Sequence, residues 1–383
     1  DALPIYVCRA RNAVQEVKNM PEMIRVMVID DSIVYRSWLI RSLSEDPRFE
    51  VVGFAGNAYE ANQKIPRLKP DILTLDIEMP GMSGIDFLKK LLPSHPVPVI
   101  LVSSLNLRVF DALEAGAVDF VRKPDDQNGL SKTIFLNTLK TKLVMGAKAR
   151  VHLPSSSAPP IAPQRPMTGT VPGASAHRSS LFTEAKKPGA SHLLPPVIAI
   201  GASTGGTEAI LEIVRNFPAK TPGVVITQHM PAGFTAMYAE RLNRICAMEV
   251  REAKNGDHLS PGRILLAPGG MQMRLVPLGN SYSVSVQPGE KVNGHRPSVD
   301  VLFDSVAMHA RDRAIGVLLT GMGSDGAAGL LRMRKNGAFT IGQDKDSCVV
   351  YGMPMEAWKI GAVCRQLPLD AIAQAVLSRL SVF

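Results

Sequence analysis

Cysteine is scarce in this sequence and long apolar runs are missing, and each shortage removes a class of protein. The four cysteines, Cys8, Cys246, Cys348 and Cys364, have the spacing of neither a disulfide framework nor a zinc site, which fits a reducing cytoplasm. Apolar runs such as Val97 to Val102 and Ile315 to Leu319 are strand-sized. They fall well short of the roughly 20 residues that cross a bilayer, so no direct membrane insertion is expected. Residues 1–22 lack the continuous apolar core of a secretory signal and read as a leader or expression remnant, with Met20 and Met23 as candidate starts. No helix-turn-helix pattern is present. A net charge of +9 would suit nucleic acid, but more than half of it comes from residues 147–196, where Lys148, Arg150, Arg165, Arg178, Lys186 and Lys187 face the single acid Glu184. A diffuse basic stretch without interleaved aromatics reads as a solvated tether, so no nucleic-acid partner is expected.

A chain of 383 residues, 45% of them apolar, is long enough for two hydrophobic cores. Short apolar runs alternate with helical patterns from residue 24 to about 145. Strands are expected at Ile24–Ile29, Glu50–Phe54, Ile72–Leu75, Val97–Val102 and Ala117–Val121, with helices such as Ser32–Ser44 and Ile85–Leu92 between them. That is a five-unit βα pattern, which implies a parallel sheet covered on both faces. Residues 146–196 turn to Pro, Ser, Ala and Gly, cannot bury a core and read as a flexible linker. Alternation resumes at Val197, so residues 197–383 form a second doubly wound, Rossmann-like α/β domain. It carries a β-hairpin that turns at Leu278–Ser281, and further strands are expected at Ala338–Ile341 and Gly361–Arg365.

In the first domain the polar residues fall at strand ends: Asp30 and Asp31, Asp76 in LTLDIEMPGM, Ser103 in LVSS and Lys123 in DFVRKP. Clustered carboxylates suit a hard cation such as Mg²⁺ beside a phosphoryl group on Asp76, with the hydroxyl and ammonium binding its oxygens. Any one of these acids could equally be a helix cap. Taken together they closely resemble the receiver domain of two-component response regulators. The resemblance spans Ile24 to about Leu143. It implies phosphorylation at Asp76, Mg²⁺ held by Asp30 and Asp31 with Asp76, and a switch through Ser103 and Lys123.

In the second domain three apolar strands run into glycine-flanked turns, each with one polar residue: Ser203 in GASTGG, His229 in ITQHMP and Asp325 in TGMGSDGAAG. In an open parallel sheet these ends share one rim, and the three residue types make a Ser–His–Asp triad. Singly, each has a plainer reading: GASTGG as a phosphate-binding loop, His229 as a packed histidine, Asp325 as a cap for a helix starting near Gly326. Glu208 reads as a first-turn acid facing the helix dipole, and Asp257 and His258 as parts of a structural turn.

The stretch from Val197 to about Leu377 is similar to the catalytic domain of the CheB-type chemotaxis protein-glutamate methylesterases. The motifs that carry this are GASTGGTEAI, ITQHMPAGFTAMYAERLN, GDHLSPGRILLAPGG, GHRPSVDVLFDS, LLTGMGSDGAAGL and QDKDSCVVYGMP, and a receiver placed ahead of them is that family's arrangement. The resemblance implies Ser203 as nucleophile, His229 as general base and Asp325 as orienting acid. The Met322 N–H would donate to the oxyanion, with Thr204 shaping that site. It further implies ester cleavage without a cofactor, deamidation of glutamine, methyl-accepting chemotaxis receptors as substrates, a CheA-type histidine kinase as phosphodonor and a cytoplasmic location. Three departures stand out: a short stretch from Ser104 to Gly116, Gln272 in place of a histidine, and a long linker that would leave the resting domains loosely joined.

Overall fold

The computed structural model describes residues 23–104, 108–124, 129–151 and 194–383. The expected leader at 1–22 and most of the expected linker lie outside the described residues.

The first sheet holds β1 (Ile24–Ile29), β2 (Phe49–Ala55), β3 (Ile72–Leu75), β4 (Val99–Ser103) and β5 (Asp119–Arg122) in the order β2-β1-β3-β4-β5, parallel throughout. Around it pack α1 (Ile33–Ser44), α2 (Ala58–Leu68), α3 (Gly84–Leu91), α4 (Arg108–Glu114) and α5 (Gly129–Gly146). Local chemistry sets the helix starts. Ser32, Asn57 and Ser83 each accept a backbone N–H three residues on, satisfying a donor the first turn leaves free. Strands β3 and β4 are buried along their whole length, as continuous apolar runs in a covered parallel sheet should be.

The second domain is built on β6 (Val197–Ala202), β7 (Val224–Gln228), β8 (Glu249–Glu252), β9 (His258–Leu259), β10 (Arg263–Leu266), β11 (Gln272–Leu278), β12 (Ser281–Gln287), β13 (Ala314–Leu318), β14 (Phe339–Gln343) and β15 (Arg365–Leu367). Seven of these form a parallel sheet in the order β15-β14-β13-β6-β7-β10-β8, while β11, β12 and β9 form a small antiparallel sheet that contains the expected hairpin. Its helices are α6 (Gly206–Val214), α7 (Phe234–Ile245), α8 (Val299–His309), α9 (Ala327–Lys335), α10 (Met353–Lys359) and α11 (Leu369–Leu380). The chain leaves β6 toward β7 on one side and returns to β13 on the other, so the topological switch point lies at β6, where open α/β sheets place their ligands.

Three strand expectations need correction, one of them β5, which begins at Asp119, two residues after the expected Ala117. The last strand is Arg365–Leu367 rather than Gly361–Arg365, because α10 and its Ile360 cap occupy the residues up to Gly361. Strand β4 begins at Val99, two residues late, because Pro98 cannot donate to the ladder.

One apolar cluster runs across both domains. Phe110 stacks on Tyr238 with centroids 5.5 Å apart, and Phe120 lies 4.5 Å from Phe234. The loose tethering expected from linker length is therefore not what the described residues adopt.

Candidate functional site

Strand β6 is buried along its length and ends at Ala202, and Ser203 follows. Gly205 then caps α6 at φ 76°, a conformation that any residue with a Cβ resists, and a Cβ there would also lie 2.6 Å from that of Val349. The Ser203 peptide is held on both sides: its N–H donates to Thr320 O at 3.0 Å, and its carbonyl accepts from Gly206 N and Gln228 Nε2, each at 2.8 Å. Gly321 passes so near that a Cβ on it would come within 2.7 Å of Ser203 Cβ.

Strand β7 delivers His229, whose Nε2 lies 2.7 Å from Asp325 Oδ2. His229 Nδ1 is buried with no hydrogen-bond partner among the described residues. Asp325 is 1% exposed, so every lone pair it cannot fill would be costly. Its Oδ1 accepts from Ser298 Oγ at 2.7 Å, Asn293 Nδ2 at 2.9 Å and Asp300 N at 3.2 Å, and its Oδ2 accepts from Val299 N at 2.7 Å. Burial alone would raise this carboxyl's pKa. The bond to His229, its charge, and the Asn293 and Ser298 donors outweigh that and hold it well below the usual carboxylate range. The carboxylate thus sits at the N-terminus of α8, where the helix dipole favours negative charge. The helix beginning after Gly326 has no side-chain cap, so the plainer reading of Asp325 as that helix's cap is wrong.

Four contributors escaped the sequence reading. His295 stacks on His229 with centroids 3.6 Å apart and planes 7° from parallel; burial, and then the charge of His229, push its pKa down to about 4. Asn293 bonds Asp325 from above. Gln228 holds the Ser203 carbonyl. Asp119 reaches in from the first domain. The Asn293-Gly294 pair, a strong turn signal, could have flagged the first two. Gln272, noted only as a departure, is buried and accepts from Ser298 N at 2.9 Å while donating to Glu290 O at 2.9 Å, so it braces the strand entering α8. Met322 is 37% exposed at the rim, and its N–H meets no backbone acceptor among the described residues. Asp257 accepts from Lys254 N at 2.8 Å, in keeping with its structural reading.

At the far rim of the first sheet, carboxylate oxygens of Asp30, Asp31 and Asp76 lie within 4.8 Å of one another. Lys123 Nζ is 2.5 Å from Asp76 Oδ2 and 2.9 Å from Asp30 Oδ2. Burial raises the Asp30 pKa, and Lys123 offsets part of that; Lys123 is itself raised, because its carboxylate partners outweigh burial. Ser103 is buried, with an Oγ that finds no partner among the described residues. An all-oxygen donor set beside a free hydroxyl and an ammonium fits a hard cation and a phosphoryl group.

Between the two rims the domains meet through α4, β5 and α5. Asp119, which opens β5, accepts from Lys142 Nζ at 2.6 Å through Oδ1 and from Thr204 Oγ1 at 2.6 Å through Oδ2. The hydroxyl of Thr204, expected to shape the oxyanion site, is therefore committed to the other domain. Glu208 exceeds its expected role at the helix dipole: with Glu114 of α4 it brackets Arg241, at 2.7 and 2.9 Å. Arg150 N donates to Val349 O at 3.2 Å, joining the end of the first domain to the loop beside Gly205.

Fold and site together define a two-domain response regulator, a receiver packed on a doubly wound α/β enzyme domain. Residues 26–135 match the response regulator receiver domain, and residues 198–376 match CheB methylesterase. The chain is 51% identical over 353 residues to protein-glutamate methylesterase/protein-glutamine glutaminase 2 of Syntrophomonas wolfei, covering 92% of this chain and 96% of that one. It is 48% identical over 367 residues to the protein-glutamate methylesterase/protein-glutamine glutaminase of Syntrophotalea carbinolica, covering 94% and 99%. The crystal structure of the Thermotoga maritima CheB methylesterase catalytic domain, 33% identical, covers 49% of this chain and 99% of its own with a TM-score of 0.47. The chain belongs to the protein-glutamate methylesterase/protein-glutamine glutaminase family.

Proposed function

We propose that this chain is a phosphorylation-activated serine hydrolase that cleaves glutamate γ-methyl esters on chemoreceptors, releases methanol, and also deamidates receptor glutamines. The observation that carries the catalytic half is the His229–Asp325 pair at 2.7 Å on the rim that also holds Ser203, with His229 Nδ1 left free. Because Nε2 is taken by Asp325, Nδ1 is the atom that receives the Ser203 proton. Ser203 Oγ attacks the ester carbonyl, and the oxyanion is met by the Met322 N–H. His229 returns the proton to the departing methanol, and a water activated by the same nitrogen frees glutamate from the acyl-enzyme. A glutamine amide passes through the same tetrahedral stage and releases ammonia. Thr204 contributes to the oxyanion region once its hydroxyl leaves Asp119.

The receiver, residues 23–145, is joined through the linker at 146–196 to the catalytic domain at 197–383. Asp76 takes the phosphoryl group from a CheA-type histidine kinase, and Asp30, Asp31 and Asp76 would hold Mg²⁺, which would neutralise phosphoryl charge. Phosphorylation draws on Ser103 and Lys123, disturbs β5 and weakens the contacts that begin at Asp119. The resting receiver then leaves the Ser203 rim more often, a shift between two populations. Among the described residues no helix is long and apolar enough to cross a membrane, and the proposed location is the cytoplasm beside the receptors' helical bundles. The test is methanol release from methylated receptor membranes: wild type should release it and Ser203→Ala should not, and residual release by Ser203→Ala would remove the triad assignment.

A further inference from the structure

We infer that Asn293 is a positioning residue for the reaction, acting through Asp325 rather than on the substrate. The inference rests on the triad reading above. Residues Val292 to His295 form a turn closed by two backbone bonds, Val292 N to His295 O at 3.0 Å and His295 N to Val292 O at 2.9 Å. Its central residues, Asn293 at φ 52° and Gly294 at φ 82°, adopt the pair of left-handed conformations that Asn-Gly sequences favour. The turn lies against the catalytic pair, because His295 at its end stacks on His229.

Asn293 is exposed as a residue, yet its amide points inward. Nδ2 donates to Asp300 Oδ2 at 2.7 Å and to Asp325 Oδ1 at 2.9 Å. One NH₂ group has two hydrogens, so a single amide bridges two carboxylates that otherwise repel each other. Asp300 is fixed in turn by Gly329 N at 2.6 Å. With Oδ1 of Asp325 tied to Asn293, Ser298 and the Asp300 N–H, its Oδ2 is turned to the Val299 N–H and His229. His295 lies on the ring face of His229, and the other charged groups felt there are Lys291 at the foot of the turn and Lys142 of the receiver.

The test uses the intact chain and measures methanol release across pH. Asn293→Gly keeps a residue that accepts the left-handed backbone and removes only the amide. The expected result is a kcat about 10- to 100-fold lower, the range for one hydrogen bond to a charged group, with KM within about twofold. The acid limb of the pH profile should move to higher pH, because a carboxylate with one donor fewer holds the imidazole proton more tightly. Asn293→Asp places a third carboxylate against two and should lose more. An unchanged kcat in Asn293→Gly overturns the inference, as does a rise in KM alone, which would mark a substrate contact. A lower kcat with an unmoved acid limb also overturns it, since a loss of folded enzyme scales the profile without shifting it. Ser203→Ala run alongside separates the two failures: if it stays active, the triad reading fails; if it is dead while Asn293→Gly is normal, only the role of Asn293 fails.

Discussion

Replacing Asp119 by Asn would probe the contact between the domains with one atom changed. In the resting arrangement Oδ1 of Asp119 serves Lys142 Nζ and Phe120 N, and Oδ2 takes the Thr204 hydroxyl at 2.6 Å. An amide has only one oxygen, which stays with the ammonium, so an NH₂ group faces Thr204 and Lys142 loses its counter-charge. Hydrogen bonds to a charged group are worth about 1.5–3 kcal/mol and neutral ones about 1, so the contact weakens by about 0.5–2 kcal/mol. At about 1.4 kcal/mol per factor of ten, the open population rises about 2- to 30-fold. Turnover of methylated receptor membranes without a phosphodonor should rise by that factor, and stimulation by a phosphodonor should shrink correspondingly. Basal turnover that stays at the wild-type level, in a variant whose thermal midpoint is normal, would refute this account of the contact.

Gly321→Ala would press a methyl group into Ser203 Cβ at 2.7 Å; turnover is expected to fall at least about tenfold, because a displacement of about 1 Å at a nucleophile costs up to about 100-fold, and unchanged kinetics would count against the packing of the nucleophile turn. His295 gives a pH signature: its pKa falls from 6.5 to about 4 in the fold, so the unfolded chain takes up a proton that the folded chain refuses. Its contribution to stability is complete above pH 6.5 and is lost as pH drops toward 4, by about 3 kcal/mol at the extreme; urea midpoints measured over that range should decline less in His295→Gln. Asp76→Asn, or removal of Mg²⁺ by a chelator, should abolish the response to a phosphodonor while basal methanol release persists, and a retained response would argue against the receiver pocket.

How far the sequence reveals this molecule depends on where the information lies. Strands such as Ile24–Ile29 and Ile72–Leu75 are legible because Val26–Ile29 and Ile72–Leu75 are buried on both faces and nearly all apolar. Strand Glu249–Glu252 is not, because it lies at the sheet edge, has a single buried residue, and reads as charged. The site residues at strand ends are legible, since the turns that present them need glycines that stand out locally. The groups that brace them are hidden, because Asn293 and His295 meet Asp325 and His229 only through a fold that brings a distant turn onto the rim. The same holds for Asp119 and Thr204, whose bond joins two domains and leaves no local trace.

The central claim is that the receiver controls access to Ser203, and it is tested most directly by timing methanol release from methylated receptor membranes by the intact chain before and after a phosphodonor is added with Mg²⁺. The account predicts a slow basal rate that rises on addition in wild type, does not rise in Asp76→Asn, and is absent throughout in Ser203→Ala. A rate that is the same before and after addition in wild type, with Asp76 demonstrably phosphorylated, would contradict it.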